Sequence, residues 1–197
     1  MSLDSNTLAA PLVDLSMLSA AERDELVALG LLTPMGDQAA PRPSLVRSEV
    51  APIDRKKITS LDVLNEAYCY AIPSSFSRGL RIPLGQVDML FISGTASIDD
   101  EGRTVNTGDF RAQCWRTYRN ITTLLESEGA TWHDVIKTTC YLRDIERDYR
   151  DFNRVRTAFF AWLGIDPLPA SVGIQARLCR EDLLVEIEGM AFIRSRK

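Results

Sequence analysis

The chain has 197 residues, 45% of them hydrophobic and 25% charged, with a formal net charge of −4. That is enough apolar material for one sizeable core, so a single domain with an appendage is the simplest organisation. The acidic balance argues against a surface that holds nucleic acid by neutralising phosphates, and no apolar run approaches the length of a bilayer span. The opening residues lack the basic-then-apolar pattern of an export leader. Cys69, Cys114, Cys140 and Cys179 are scattered and the chain has a single histidine, His133, so no metal-ligand spacing is present. Reduced thiols, a cytoplasmic location and no zinc site are the resulting expectations.

Residues 1–60 read as an extension and residues 61–197 as the main domain. Ser19-Ala20-Ala21-Glu22 is a capping-box pattern ahead of good helix formers, with Gly30 as the stop. Pro34-Met35-Gly36-Asp37 and Pro41-Arg42-Pro43-Ser44 are linker chemistry. Short strands are expected at 67–71 and 80–84, flanking the loop Pro73-Ser74-Ser75-Phe76-Ser77-Arg78-Gly79. A buried strand is expected at 88–94, ended by Gly94, with a turn at Asp99-Asp100-Glu101-Gly102. Asp109 caps a helix whose apolar stripe is Phe110, Cys114, Tyr118, Ile121 and Leu125, and Gly129 ends it. A β-branched strand lies within 132–142. A second helix over 149–163 carries Phe152, Val155 and Phe159 on one stripe and is stopped by Gly164 and Pro167.

The chain closes on what reads as a strand pair, 171–178 and 183–193, around the polar turn Arg180-Glu181-Asp182. Alternation in the last run sets Val185 and Ile187 on one face and Glu186 and Glu188 on the other. A carboxylate on a largely apolar strand is either a solvated edge or a group retained for chemistry. The element order predicts an α+β domain, a six-stranded sheet with two helices covering one face. Runs such as 89–92 make the second face too apolar to leave wet, which points to burial in an oligomer.

The segments LFISGTASID, DVIKTTCYLRDI, FNRVRTAFF, SVGIQARL and VEIEGMAF resemble, in order and spacing, the YjgF/RidA family, whose members are also known as L-PSP endoribonucleases or translation initiation inhibitors. The resemblance covers about residues 66–194. It implies a chorismate-mutase-like fold with a mixed sheet, a homotrimer around a central barrel, and small-molecule clefts between subunits. Its best-known branch hydrolyses 2-imino or 2-enamino acids to 2-keto acids and ammonia without a cofactor. The family glutamate falls on Glu186, its loop tyrosine on Phe76, its glycine on Gly94 and its helix asparagine on Asn153. The thiol at the cleft of many relatives aligns with Val172, and the arginine that pairs with the substrate carboxylate aligns with Ala170. Arg177 matches a different family arginine. Alanine cannot make a bidentate carboxylate contact, so either Arg78 in the loop, otherwise read as an inter-subunit ion-pair residue, supplies the cation, or the substrate is a different acid or a neutral carbonyl compound. The FSR of that loop also resembles the related domain of chorismatases, which keep a glutamate at the Glu186 position. The resulting expectation is a hydrolase or deaminase with Glu186 as acid/base and Phe76, Arg78, Gly94, Val172 and Asn153 at the substrate. A non-catalytic binder and an endoribonuclease are the alternatives. Glu188 is read as structural or interfacial, Cys140 as a small buried hydrophobe and His133 as a surface residue.

Overall fold

The computed structural model describes residues 15–28, 32–35, 37–38, 53–61, 64–71 and 73–195. The chain forms two compact units, Met1–Ala51 and Pro52–Lys197. In the first unit, helix α1 (Ala20–Ala28) begins with the expected capping box. Glu22 Oε2 accepts from the Ser19 N–H at 2.7 Å, and Ser19 Oγ from the Glu22 N–H at 3.2 Å. The linker motif at 41–44 and Gly30 lie outside the described residues.

The second unit is a six-stranded mixed sheet in the order β1-β2-β3-β6-β4-β5. Its strands are β1 (Lys56–Lys57), β2 (Gly79–Pro83), β3 (Val87–Ala96), β4 (Val135–Leu142), β5 (Ala170–Gln175) and β6 (Val185–Arg194). All neighbours pair antiparallel except β4 and β5, which are parallel. Helices α2 (Phe110–Ser127) and α3 (Ile145–Leu163) pack on it.

Two expectations about the strands are corrected. The first strand is not 67–71, where Ala67–Cys69 makes a 3₁₀ turn. It is Lys56–Lys57, inside the stretch read as extension, and Ile58 beside it is fully buried. Two lysines give no alternation to detect, and the short strand exists because β2 offers a free edge. The final two strands also do not pair with each other. β4 lies between them, because α3 carries the chain across to the far edge, where β5 adds in parallel.

The helices follow their stripes. Asp109 caps α2 by accepting from the Ala112 N–H at 3.0 Å, and all five apolar stripe residues of α2 are buried. α3 starts a turn earlier than expected because Asp144 caps it, accepting from the Arg147 N–H at 3.0 Å, and Gly164 closes it in the left-handed conformation. Phe152, Val155 and Phe159 are buried as expected, and the Phe159 ring stacks on Tyr118 at 4.5 Å.

Two buried amides on α2 hold the strands that carry the site. Gln113 Nε2 donates to Asp182 O at 2.9 Å while its Oε1 accepts from the Leu184 N–H at 2.8 Å, so the entry to β6 is stapled to the helix. Asn120 Nδ2 donates to Ala96 O and Ile98 O at 2.9 and 3.0 Å, which holds the end of β3. Among the described residues no helix is long and apolar enough to cross a membrane.

Cross-strand partners share a face. The helix side therefore holds Leu90, Ile92, Val185, Ile187 and Ala191, all buried. The opposite face holds Met89 with Phe192, Phe91 with Met190, Thr139 with Glu188 and Tyr141 with Glu186. In the single chain this face stays partly open, with Phe91, Val172 and Ile174 exposed.

Candidate functional site

β3 carries one residue more than β6 between the pairs Ile92–Gly189 and Thr95–Ile187. This bulge takes in Ser93 and Gly94 and switches the parity of the strand, so that Thr95 is buried toward the helices and Ala96 pairs with Glu186. Gly94 is thus not a strand end. A Cβ there would lie 2.0 Å from Glu186 Oε1, so glycine is the residue that lets the carboxylate rest on the β3 backbone.

The bulge also seats the loop before β2. The Ser93 N–H donates to Arg78 O at 3.0 Å and Ser93 Oγ donates to Ser77 O at 2.7 Å. That places Phe76 and Arg78 beside the bulge. Phe76 is 42% exposed, whereas Arg78 is 3% exposed. Arg78 Nε donates to Asn65 O at 3.1 Å and Nη2 donates to the Tyr70 hydroxyl at 2.5 Å. Cζ stands 5.0 Å from the centre of the Tyr70 ring and 5.3 Å from that of Phe76. Among the described residues Arg78 forms no ion pair, and its Nη1 has no hydrogen-bond partner.

The charges act on one another. Burial pushes the Glu186 carboxyl above its ordinary range, Glu188 pushes it further, and Arg78 pulls it partly back. Burial raises the Tyr141 phenol, and Glu188 and Glu186 add to that. Tyr70 is raised by burial and eased by Arg78. The group is therefore two adjacent carboxylates, one buried guanidinium and two neutral phenols. A carboxyl held above its usual range beside a fixed cation suits proton transfer.

Of the six residues singled out in the sequence, the single chain brings together Glu186, Gly94, Arg78 and Phe76. Val172 lies on the exposed edge strand, opposite Thr139, whose other partner is Glu188; that is two strand spacings from β6, about 10 Å. Asn153 is on α3, lining an open groove with Tyr149 and Gly173, and its Oδ1 accepts from Arg156. Sequence reasoning missed Tyr70, Tyr141 and the electrostatic part of Glu188. Tyr141 was legible as the residue opposite Glu186 once the register is known; Tyr70 sat in a segment misread as strand. Cys140 is buried and its thiol raised, so it stays a protonated packing group, and His133 is exposed. Among the described residues no three His, Cys, Asp or Glu side chains are grouped to hold a metal ion.

Residues 73–193 match the family model described as endoribonuclease L-PSP. The chain belongs to the YjgF/RidA (endoribonuclease L-PSP) family. A RutC family protein of Pyrococcus abyssi is 32% identical over 105 residues, which is 53% of this chain and 79% of that protein. One of Pyrococcus horikoshii is 33% identical over the same shares of both chains. The YjgF gene product of E. coli shares the fold at a TM-score of 0.57 and 24% identity, over 71% of this chain and 99% of its own. E. coli TdcF with bound serine does so at 0.57 and 25%, over the same shares. The family match begins after the first unit, so this YjgF/RidA domain carries the Met1–Ala51 unit in addition.

Proposed function

We propose that this YjgF/RidA protein is a homotrimeric hydrolase of small imines or enamines that bear a carboxylate, with Glu186 as its acid/base. The observation that carries the reading is the Glu186 carboxylate, lying against Gly94 with its protonation raised by burial and by Glu188, and with the charge of Arg78 beside it. A water oxygen attacks the imine carbon, the C=N π pair moves to nitrogen, and Glu186 takes the water proton. Glu186 then returns that proton to nitrogen, the C–N bond breaks as the oxygen lone pair forms the carbonyl, and Glu186 takes the remaining O–H proton and passes it to the departing ammonia. The net change is iminium plus water to carbonyl compound plus ammonium, balanced in atoms and charge.

Arg78 supplies the carboxylate anchor that Ala170 cannot. Its guanidinium is buried, unpaired with any carboxylate among the described residues, and has Nη1 free to donate. Val172 and Asn153 belong to the same cleft when contributed by a second protomer, whose docking also covers the apolar open face. TdcF, a relative in fold with bound serine, supports a ligand of amino-acid size.

The test is ammonia release from freshly generated imino acids and enamines, comparing wild type with Glu186→Gln. Acceleration that the variant loses supports the reading; no acceleration across the panel sinks it. A second reading, a non-catalytic binder using the same cleft, is favoured by alanine at position 170. It predicts ligand binding without turnover. An endoribonuclease is the weakest fit, since a pair of carboxylates in a protein of net charge −4 repels a phosphate backbone.

A further inference from the structure

An arginine anchors a carboxylate well only when its fork is held ready. We infer that Tyr70, through its hydroxyl, is the positioning residue that presents the Arg78 guanidinium edge-on, with Nη1 as the donor offered to a substrate carboxylate. This rests on the reading of Arg78 as the anchor.

The hydrogen-bond inventory around Arg78 carries the inference. Asn65 O accepts from Arg78 Nε at 3.1 Å and from the Tyr70 hydroxyl at 2.9 Å, which uses both of its lone-pair directions. The Tyr70 hydroxyl gives its one proton to that carbonyl and accepts from Arg78 Nη2. The three groups form a closed ring of donors and acceptors. Tyr70 and Phe76 lie against the guanidinium, so an anion has only its remaining edge to approach.

Tyr70 is itself locked. It is 9% exposed, and its ring occupies the space that a side chain at residue 102 would need. A Cβ on Gly102 would lie 2.5 to 2.7 Å from three Tyr70 ring carbons. Gly102 also has φ of 78°, as the tight turn from Asp99 requires, and Arg180 donates to its carbonyl. The Asp99–Gly102 turn thus seats the ring, the ring carries the hydroxyl, and the hydroxyl sets the arginine.

The experiment measures binding of isobutyrate and isopropylammonium, which share the isopropyl group and carry opposite charge, to the full chain by calorimetry, and KM and kcat for 2-iminopropanoate. Tyr70→Phe keeps the ring over Gly102 and removes only the hydroxyl. The expected result is isobutyrate binding weakened about tenfold, the size of one lost hydrogen bond to a charged group. KM should rise by a similar factor with kcat and isopropylammonium binding unchanged. A variant that loses thermal stability but binds isobutyrate as wild type does overturns the role of Tyr70 while leaving Arg78 as the anchor. Wild type that takes isopropylammonium and ignores isobutyrate removes the anchor and this inference together.

Discussion

Glu186 changes the acid–base behaviour of both site and fold. Its folded pKa lies above the ordinary carboxylate range, so in the window between the two the native chain holds a proton that the unfolded chain has released. Stability contributed by this residue is therefore present below the ordinary carboxylate pKa and is lost as pH rises through the raised value. Glu186→Gln should melt higher than wild type at neutral pH, with no gain at about pH 4, where both states are largely protonated. Paired melts at the two pH values check this. For the proposed water activation the ionised form works, so the acid limb of the rate profile should sit above the ordinary range. Glu188→Gln, which removes a neighbouring negative charge, should move that limb to lower pH. Gly94→Ala puts a methyl group 2.0 Å from Glu186 Oε1 and must push the carboxylate aside. Turnover should fall about 100-fold, the scale of an ångström of misplacement, with the far-ultraviolet spectrum unchanged. Glu186 was legible in the sequence as a candidate, from its alternation and its family position. That Tyr141 faces Glu186 and that Tyr70 holds Arg78 was not, because the first depends on strand register and the second on which loops meet in space.

At the scale of elements, the site depends on how α2 grips the strands. Gln113 is fully buried and serves one carbonyl and one N–H at the entrance of β6. Gln113→Leu keeps the volume and strands both backbone groups, at a cost of about 2–4 kcal/mol. Denaturant unfolding should show that loss, whereas Asp109→Ala, which removes a solvent-exposed helix cap, should cost about 1 kcal/mol. The helices were readable because a 3.6-residue stripe and a cap are local signals. Lys56–Lys57 was not, because a two-residue edge strand of charged residues has no pattern of its own and is defined by the β2 edge it meets. The bulge at Ser93 and Gly94 was half-visible: the glycine marked a special backbone position, but only the Ile92–Gly189 and Thr95–Ile187 pairs reveal the extra residue.

For the whole molecule, the open sheet face with Met89, Phe91, Met190 and Phe192 is the surface on which the proposed trimer depends. Met190→Glu puts a charge on that face without touching the helix side. Sedimentation should then report protomers, and imine hydrolysis should disappear with the assembly. A trimer that survives the substitution would place the subunit contact elsewhere and leave Val172 and Asn153 outside the cleft.

The local code of this chain determined its helices, caps, turns and the alternation of its last strand, since each depends on residues a few positions apart. It also carried the family resemblance and, through it, the candidate glutamate. Tertiary structure alone decided that β4 separates β5 from β6, that an extra residue in β3 turns Gly94 under Glu186, and that Asn65, Tyr70 and Arg78 close into one hydrogen-bonded ring. Each of these depends on which strand edges and loops meet in space. The free energy for that choice comes from burying the whole core, and no short window of sequence contains it.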